Sequence, residues 1–508
     1  MQTSNLRANQ QTISDLQRLV RNGNTQLENS FDKLLRGETP RSIEPLNFIT
    51  KNKPFPLLSQ DTISKLSLMN SYVSGNSSAD NPLVKIYAEV RGLYLSQTLV
   101  NLAYASVNTA KKKSHDAIYR SGTNGIGMYA QAMEGLFVAE YENICNIFMR
   151  QDWGPAFQTA CQAPMAELAR TLRELNNHIK AHLSTDCYLA YEVTEIMSSL
   201  SNNLETRTGE LKATLAAALK PVRETGKMSL AELLDDTRRK VGAIQALPHD
   251  GSPMPVVSET MQRLQTMVDF LRPISSIMIS IGDGGWKSAA PSNTSSDAIP
   301  SLASFDIGAD GKEIFAHYCT DTIELLMSAL EQKARLLLKG KSVLGVFLAN
   351  SITIIERMIR DSDLKPLLEG RLNALDVWRK KAKALYSEAW KEISVNLFDV
   401  IHTTSKGGRP ASGSNDSASI VKALNSKDRN SIKQKFVAFT ASFDELVARH
   451  KTYSMEREVR QMFAKDVQQM LEPLYNRFWD RYHGIDKDRG KHIKYDKSSI
   501  AAIFLSLY

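Results

Sequence analysis

An all-α protein is predicted by three observations. Apolar residues recur at three- and four-residue spacings through most of the chain, the period that gathers side chains on one face of a helix. Strand signals, meaning β-branched residues alternating with polar ones between tight turns, are nearly absent. A length of 508 residues exceeds what one core accommodates, so consecutive helical bundles are expected in place of a single globule.

Taken in order, Ile13, Val20, Leu27 and Leu34 stand at seven-residue intervals, with Leu16 and Phe31 between them. This narrow seam suits a coiled coil or a bundle, although Gly23 and Ser30 interrupt it. The Pro-bearing stretch 39–58 reads as a linker. From Asp80 to Leu247 helix follows helix: Leu83, Tyr87, Val90, Leu93 and Tyr94 begin one, Ile126, Tyr129, Met133 and Phe137 another. Leu168 to Leu183 and Leu204 to Leu234 continue the pattern. Prolines in 246–258 mark a joint. The polar stretches 282–311 and 405–419, rich in Gly and Ser, read as mobile loops. Between them the pattern predicts long helices over 314–338, 342–359 and 364 to about 404, the last about 60 Å long if unbroken. The resulting division is 1–80, 81–250, 251–404 and 405–508.

Composition narrows the function. Lys and Arg number 63 against 55 Asp and Glu, an excess that favours polyanionic partners. Aromatic residues are only 7% and fall at core spacings, which argues against the stacking platforms of single-stranded nucleic-acid binders, so no nucleic acid is expected. Cys145, Cys161, Cys187 and Cys319 are far apart and read as reduced thiols of an intracellular protein. The first residues lack a signal-peptide layout. The longest uncharged apolar stretch, 342–355, falls short of the roughly 18–20 residues of a spanning helix, so membrane contact is expected to be peripheral.

Motifs for chemistry mostly fail. Gly122-x-x-Gly125-x-Gly127 hints at a phosphate-binding turn but follows no strand and lacks a nucleotide fingerprint. His178 and His182 share a helical face at a spacing that suits zinc. Yet no Glu follows the first and no third ligand falls at helical register, so an exposed pair is the expectation. No nucleophile has a local base. The Asp235/Asp236 cluster reads as a solvated face, Lys111-Lys112-Lys113 as a helix end favoured by the dipole, and Arg379, Lys380, Lys381 and Lys383 as cations spread around a helix. Neither an enzyme, a metal site nor a cofactor is predicted.

The C-terminal stretch differs. Val459, Phe463, Val467, Leu471, Leu474, Phe478 and Tyr482 make one apolar face, a stop follows at His483-Gly484-Ile485-Asp486, and Ile500, Ile503, Phe504 and Leu507 form a short closing helix. Between them lies a loop carrying Lys487, Arg489, Lys491, Lys494 and Lys497. From Arg477 to Lys497 there are seven cations against four aspartates.

Pro473-Leu474-Tyr475-x-x-Phe478-x-x-x-Tyr482, Gly490-Lys491-His492-Ile493-Lys494-Tyr495 and the Ile-x-x-Ile-Phe-x-x-Leu-Tyr terminus together resemble the seventy-kilodalton subunit family of the exocyst, particularly its fungal members. Residues 312–319 and 341–350 agree. The resemblance implies an elongated rod of helical bundles, further helix ahead of Met1, and vesicle tethering at the inner face of the plasma membrane at sites of polarised growth. It also implies other exocyst subunits, an anionic phosphoinositide membrane and Rho-type small GTPases as partners. The lipid would be phosphatidylinositol bisphosphate, with Lys491 and Lys494 matching the family's basic positions most closely and Lys487, Arg489 and Lys497 as neighbours. A net charge of +3 supplies roughly two decades of affinity, enough only with avidity from other subunits. The alternative is a basic helical scaffold for nucleic acid or cytoskeleton.

Overall fold

The computed structural model describes residues 3–76, 81–112, 117–287, 311–398, 417, 421, 424–486 and 490–508, and among them every regular element is helical. The first compact unit takes Met1–Glu232 and Asp269–Ile281. It holds α1 (Thr3–Glu38), α2 (Leu46–Thr50), α3 (Gln60–Asn76), α4 (Pro82–Lys111), α5 (Ile126–Ile147), α6 (Trp153–Ala181), α7 (Leu183–Thr208), the first part of α8 (Lys212–Gly242), and α10 (Leu271–Ile281). The second unit takes Leu233–Val268 and Gly282–Tyr508. Its helices are the rest of α8, α9 (Pro255–Val268), α11 (Gly311–Leu337), α12 (Lys341–Arg360), α13 (Lys365–Leu368), α14 (Asn373–Ser394), α15 (Ser426–Thr452), α16 (Arg457–Tyr482) and α17 (Lys497–Leu505).

Local chemistry explains several boundaries. Asn81 caps α4 through its side-chain oxygen, which accepts from the Leu83 N–H at 3.1 Å, and Pro82 occupies the first helical position, where no hydrogen bond is lost. Asn425 caps α15 by accepting from the Asp428 N–H at 2.7 Å. In each unit one helix crossing closes on a glycine. A Cβ at Gly92 would lie 2.9 Å from the Ala160 carbonyl oxygen, and one at Gly345 only 2.7 Å from that of Ala382 and 2.8 Å from the Tyr386 nitrogen. Because backbone atoms fill both places, no side chain fits without moving a helix.

Four expectations change. The seam of α1 is half used: Phe31 and Leu35 are buried, whereas Ile13, Leu16, Leu19 and Val20 are exposed. The 39–58 stretch is no loose linker, since Phe55 stacks on Phe48 and its ring occupies the space a Gly135 side chain would need. The run from Leu364 breaks at a 3-10 turn, Glu369–Arg371, around Gly370, with Leu364 and Leu368 buried ahead of it; a second turn, Val395–Leu397, ends α14, and 399–404 lie outside the described residues. Finally, α12 is long and apolar enough to cross a membrane, which the uncharged stretch alone did not suggest, but it is mostly buried within the protein, as a core helix is. The stretches expected as mobile loops lie largely outside the described residues.

Candidate functional site

Aromatic side chains seat the C-terminal helices. Tyr386 of α14 stacks on Phe463 of α16 at 4.0 Å between centroids. Phe443 of α15 meets Trp390 and Phe504, and Phe439 meets Tyr475. Ile500, Phe504 and Leu507 are fully buried, so the last helix is docked by its apolar side. Buried His450 ties down the chain end: its Nε2–H donates to the Leu507 carbonyl at 2.8 Å, and its Nδ1 accepts from the Tyr386 hydroxyl. A carbonyl can only accept, which assigns the neutral tautomer with hydrogen on Nε2.

Burial, aided by the nearby charges of Arg460 and Lys451, lowers the His450 pKa from 6.5, although the Leu507 carbonyl pulls the other way. An unfolded histidine therefore binds a proton more readily than the folded one. The stability His450 contributes is complete above about pH 6.5, the unfolded value, and is lost as pH falls from there through the lower folded pKa. His450→Gln, whose amide N–H can still reach Leu507, should lose less denaturant stability than wild type between about pH 7.5 and about pH 5.5. Equal losses would remove His450 as the titrating group.

The basic loop is folded around a carboxylate. Asp486 Oδ2 accepts from the backbone N–H groups of His492 (2.9 Å), Ile493 (3.0 Å) and Gly490 (3.3 Å). Desolvation raises the Asp486 pKa, and these donors more than reverse it, leaving the carboxyl lowered. Gly490 sits at φ +106°, a backbone conformation that side-chain-bearing residues rarely adopt. Asp496 caps α17, accepting from the Ser499 hydroxyl and N–H and the Ser498 hydroxyl; its pKa falls to about 2. The Tyr475 hydroxyl donates to the Tyr495 carbonyl at 2.7 Å.

Within this frame Lys491 is exposed, with no carboxylate at ion-pair distance among the described residues. Lys494, also exposed, pairs with Asp444 of α15, whose other oxygen accepts from the Tyr495 hydroxyl at 2.7 Å; the hydrogen bond to Asp444 raises the lysine pKa. Lys497 pairs with Asp480. Lys487 and Arg489 lie outside the described residues. Sequence spacing misses Asp444 because it lies on another helix; an Asp just after a helix stop and ahead of a Gly was the visible sign of Asp486.

Other motifs resolve differently. The Gly122 turn does hold an anion, the protein's own: Glu192 accepts from the Gly122 N–H at 2.8 Å, from the Ser121 hydroxyl and from the Tyr119 hydroxyl. Arg379 pairs with Glu356 and Asp376, Lys381 with Glu331 and Lys383 with Asp466. Asp236 is more than a solvated residue, since it faces the largely buried Arg263 at 3.4 Å. His178 and His182 are half-buried, not exposed, and Asp186, four residues after His182, stands beside them as a third donor that the expectation left out.

Comparison with known proteins places this architecture. Residues 123–506 match the family model that describes the C-terminal part of the Exo70 component of the exocyst complex. The chain is 65% identical to the exocyst complex protein exo70 of Neurospora crassa over 520 residues, spanning all of this chain and 81% of that protein. It is 66% identical to EXO70 of Gibberella zeae, spanning all of this chain and 80% of that protein. The chain belongs to the Exo70 family. Its fold matches a solved structure of Saccharomyces cerevisiae Exo70 with a TM-score of 0.77 at 20% identity, covering 97% of this chain and 88% of that one. A structure of Exo70p described together with the Exo84p C-terminal domains gives 0.74 at the same identity and coverage. The stretch that matches the Exo70 family model includes Asp444, Asp486, Lys491, Lys494 and Lys497.

Proposed function

We propose that this Exo70-family exocyst subunit tethers secretory vesicles at the inner face of the plasma membrane by gripping phosphatidylinositol bisphosphate with its C-terminal basic loop. The observation that supports the reading most is the exposed Lys491–Lys494 segment held in shape by the Asp486 clamp and the docked α17. The proposal takes in Lys487, Arg489 and Lys497 as further basic positions of the same stretch of sequence. Fixed cations meet an anionic surface at about 1 kcal/mol each, and avidity through sister exocyst subunits supplies the rest. The exposed Ile13, Leu16, Leu19 and Val20 stripe supports packing of α1 against those subunits. Effector binding to Rho-type GTPases in their GTP state, localisation to sites of polarised growth, a binding and not a catalytic role, and the division into 1–80, 81–250, 251–404 and 405–508 belong to the same proposal.

Flotation with vesicles containing phosphatidylinositol bisphosphate tests it. The Lys491→Glu/Lys494→Glu double variant should fall to the recovery seen with neutral vesicles while keeping its helical circular dichroism. Undiminished recovery rules the loop out, and binding that follows salt but ignores both lysines points to a general polyanion scaffold. Exposed ion pairs are weak, so Asp444 competes only modestly with a headgroup for Lys494. Asp444→Asn should therefore raise vesicle recovery only slightly, by no more than about fivefold, and a fall would mean that Asp444 shapes the site instead of masking it.

A further inference from the structure

We propose that His178, His182 and Asp186 form a binding site for a first-row divalent cation of the zinc class, clasping the junction of α6 and α7. On a straight helix residues 178 and 186 would stand about 12 Å apart, at 1.5 Å per residue. His182 instead leaves helical geometry, at φ −130° and ψ 45°, and α7 starts afresh at Leu183. That break folds Asp186 back beside His178. One ligand atom from each of the three residues then lies within 4.8 Å of the other two.

His178 Nε2 and Asp186 Oδ2 are 3.2 Å apart. That separation serves a hydrogen bond, and it is also close to the roughly 3.3 Å between two ligands held at about 2.0–2.1 Å by a tetrahedral centre. His182 Nδ1 lies 3.1 Å from the His178 carbonyl oxygen. Since the carbonyl only accepts, Nδ1 carries the hydrogen and the lone pair is on Nε2, the arrangement by which metal-binding histidines are oriented through their second nitrogen. The rings approach to 4.7 Å between centroids. The Asp186 side chain is only 4% exposed and that of His178 15%, so these donors are held largely out of water. Two imidazoles and one carboxylate suit zinc and leave a fourth position for water.

The test uses the full chain without a polyhistidine tag, stripped with chelator, dialysed against Zn(II) and analysed for metal by mass spectrometry. Wild type should retain about one zinc per chain, and Asp186→Asn and His178→Gln about tenfold less. His182→Gln, at a half-buried position, serves as the variant least exposed to misfolding, with circular dichroism as the check. Cobalt(II) should give wild type, and none of the three variants, the strong visible absorption of a four-coordinate site. Retention should also fall as pH drops through the imidazole range, because the ligands bind only when unprotonated. Equal zinc in wild type and all variants, or wild type that keeps no more than a trace, overturns the site.

Discussion

Replacing Glu140 with alanine should destabilise the first unit by about 3–5 kcal/mol, because it strands a buried positive charge. Arg91 and Glu140 are 3% and 1% exposed. Glu140 accepts from Arg91 Nε at 2.9 Å and Nη2 at 2.7 Å, and from the Tyr87 hydroxyl. The guanidinium also sits 4.4 Å from the centre of the Tyr94 ring. Burial presses the Arg91 pKa down, and the Glu140 charge more than reverses it, so the arginine stays ionised. With Glu140 gone the charge keeps its desolvation penalty and loses its partner. Since whole domains are stable by only about 5–15 kcal/mol, such a loss should be plain in denaturant melts. The Arg91→Met/Glu140→Leu pair should recover most of it, because a packed apolar pair of similar volume carries no such penalty. A single substitution losing under about 1 kcal/mol would show that water reaches the pair.

This pair marks where sequence periodicity stops informing. The spacing assigns Leu93 to the core of α4, yet Leu93 is exposed while Arg91 is buried. Nothing local reveals this, since the partner that makes Arg91 tolerable lies 49 residues away. The same limit hid Asp444 from the reading of Lys494 and Glu192 from that of the Gly122 turn, each supplied by a different helix. For the histidines the signal was in the sequence, since Asp186 follows His182 at the same four-residue spacing that separates His182 from His178; the break at His182 then brings Asp186 up to His178 as well. In the C-terminal helices periodicity does carry burial. Val459, Phe463, Val467, Leu471, Phe478 and Tyr482 are buried as their spacing predicts, and so are Ile500, Phe504 and Leu507, while Leu474 and Ile503 are part-buried. The helical class, the helix stop after Tyr482 and the docked closing helix were therefore legible. The counter-ions that decide how much charge the loop presents were not.

Substituting Asn350 should destabilise the second unit by about 3 kcal/mol or more, because one side chain there closes three segments. The residue is 1% exposed. Its Nδ2 donates to the Gly251 and Ser454 carbonyls, each at 2.8 Å, and its Oδ1 accepts from the Glu456 N–H at 3.0 Å. The Ser454 N–H in turn donates to the Asp250 carbonyl at 2.9 Å. Thus α12, the loop ahead of α9 and the link between α15 and α16 meet on a single amide. Asn350→Leu keeps the volume but leaves three backbone groups without this partner, at about 1–3 kcal/mol for each that water cannot reach. Asn350→Asp separates hydrogen bonding from packing: the carboxylate can still accept from Glu456, but it sets negative oxygen against two carbonyls. It should be at least as damaging as leucine, with faster hydrogen exchange at the Glu456 amide in the leucine variant alone. Aspartate at wild-type stability would mean that shape, not the donated bonds, holds the joint from which α16 sets out toward the basic loop.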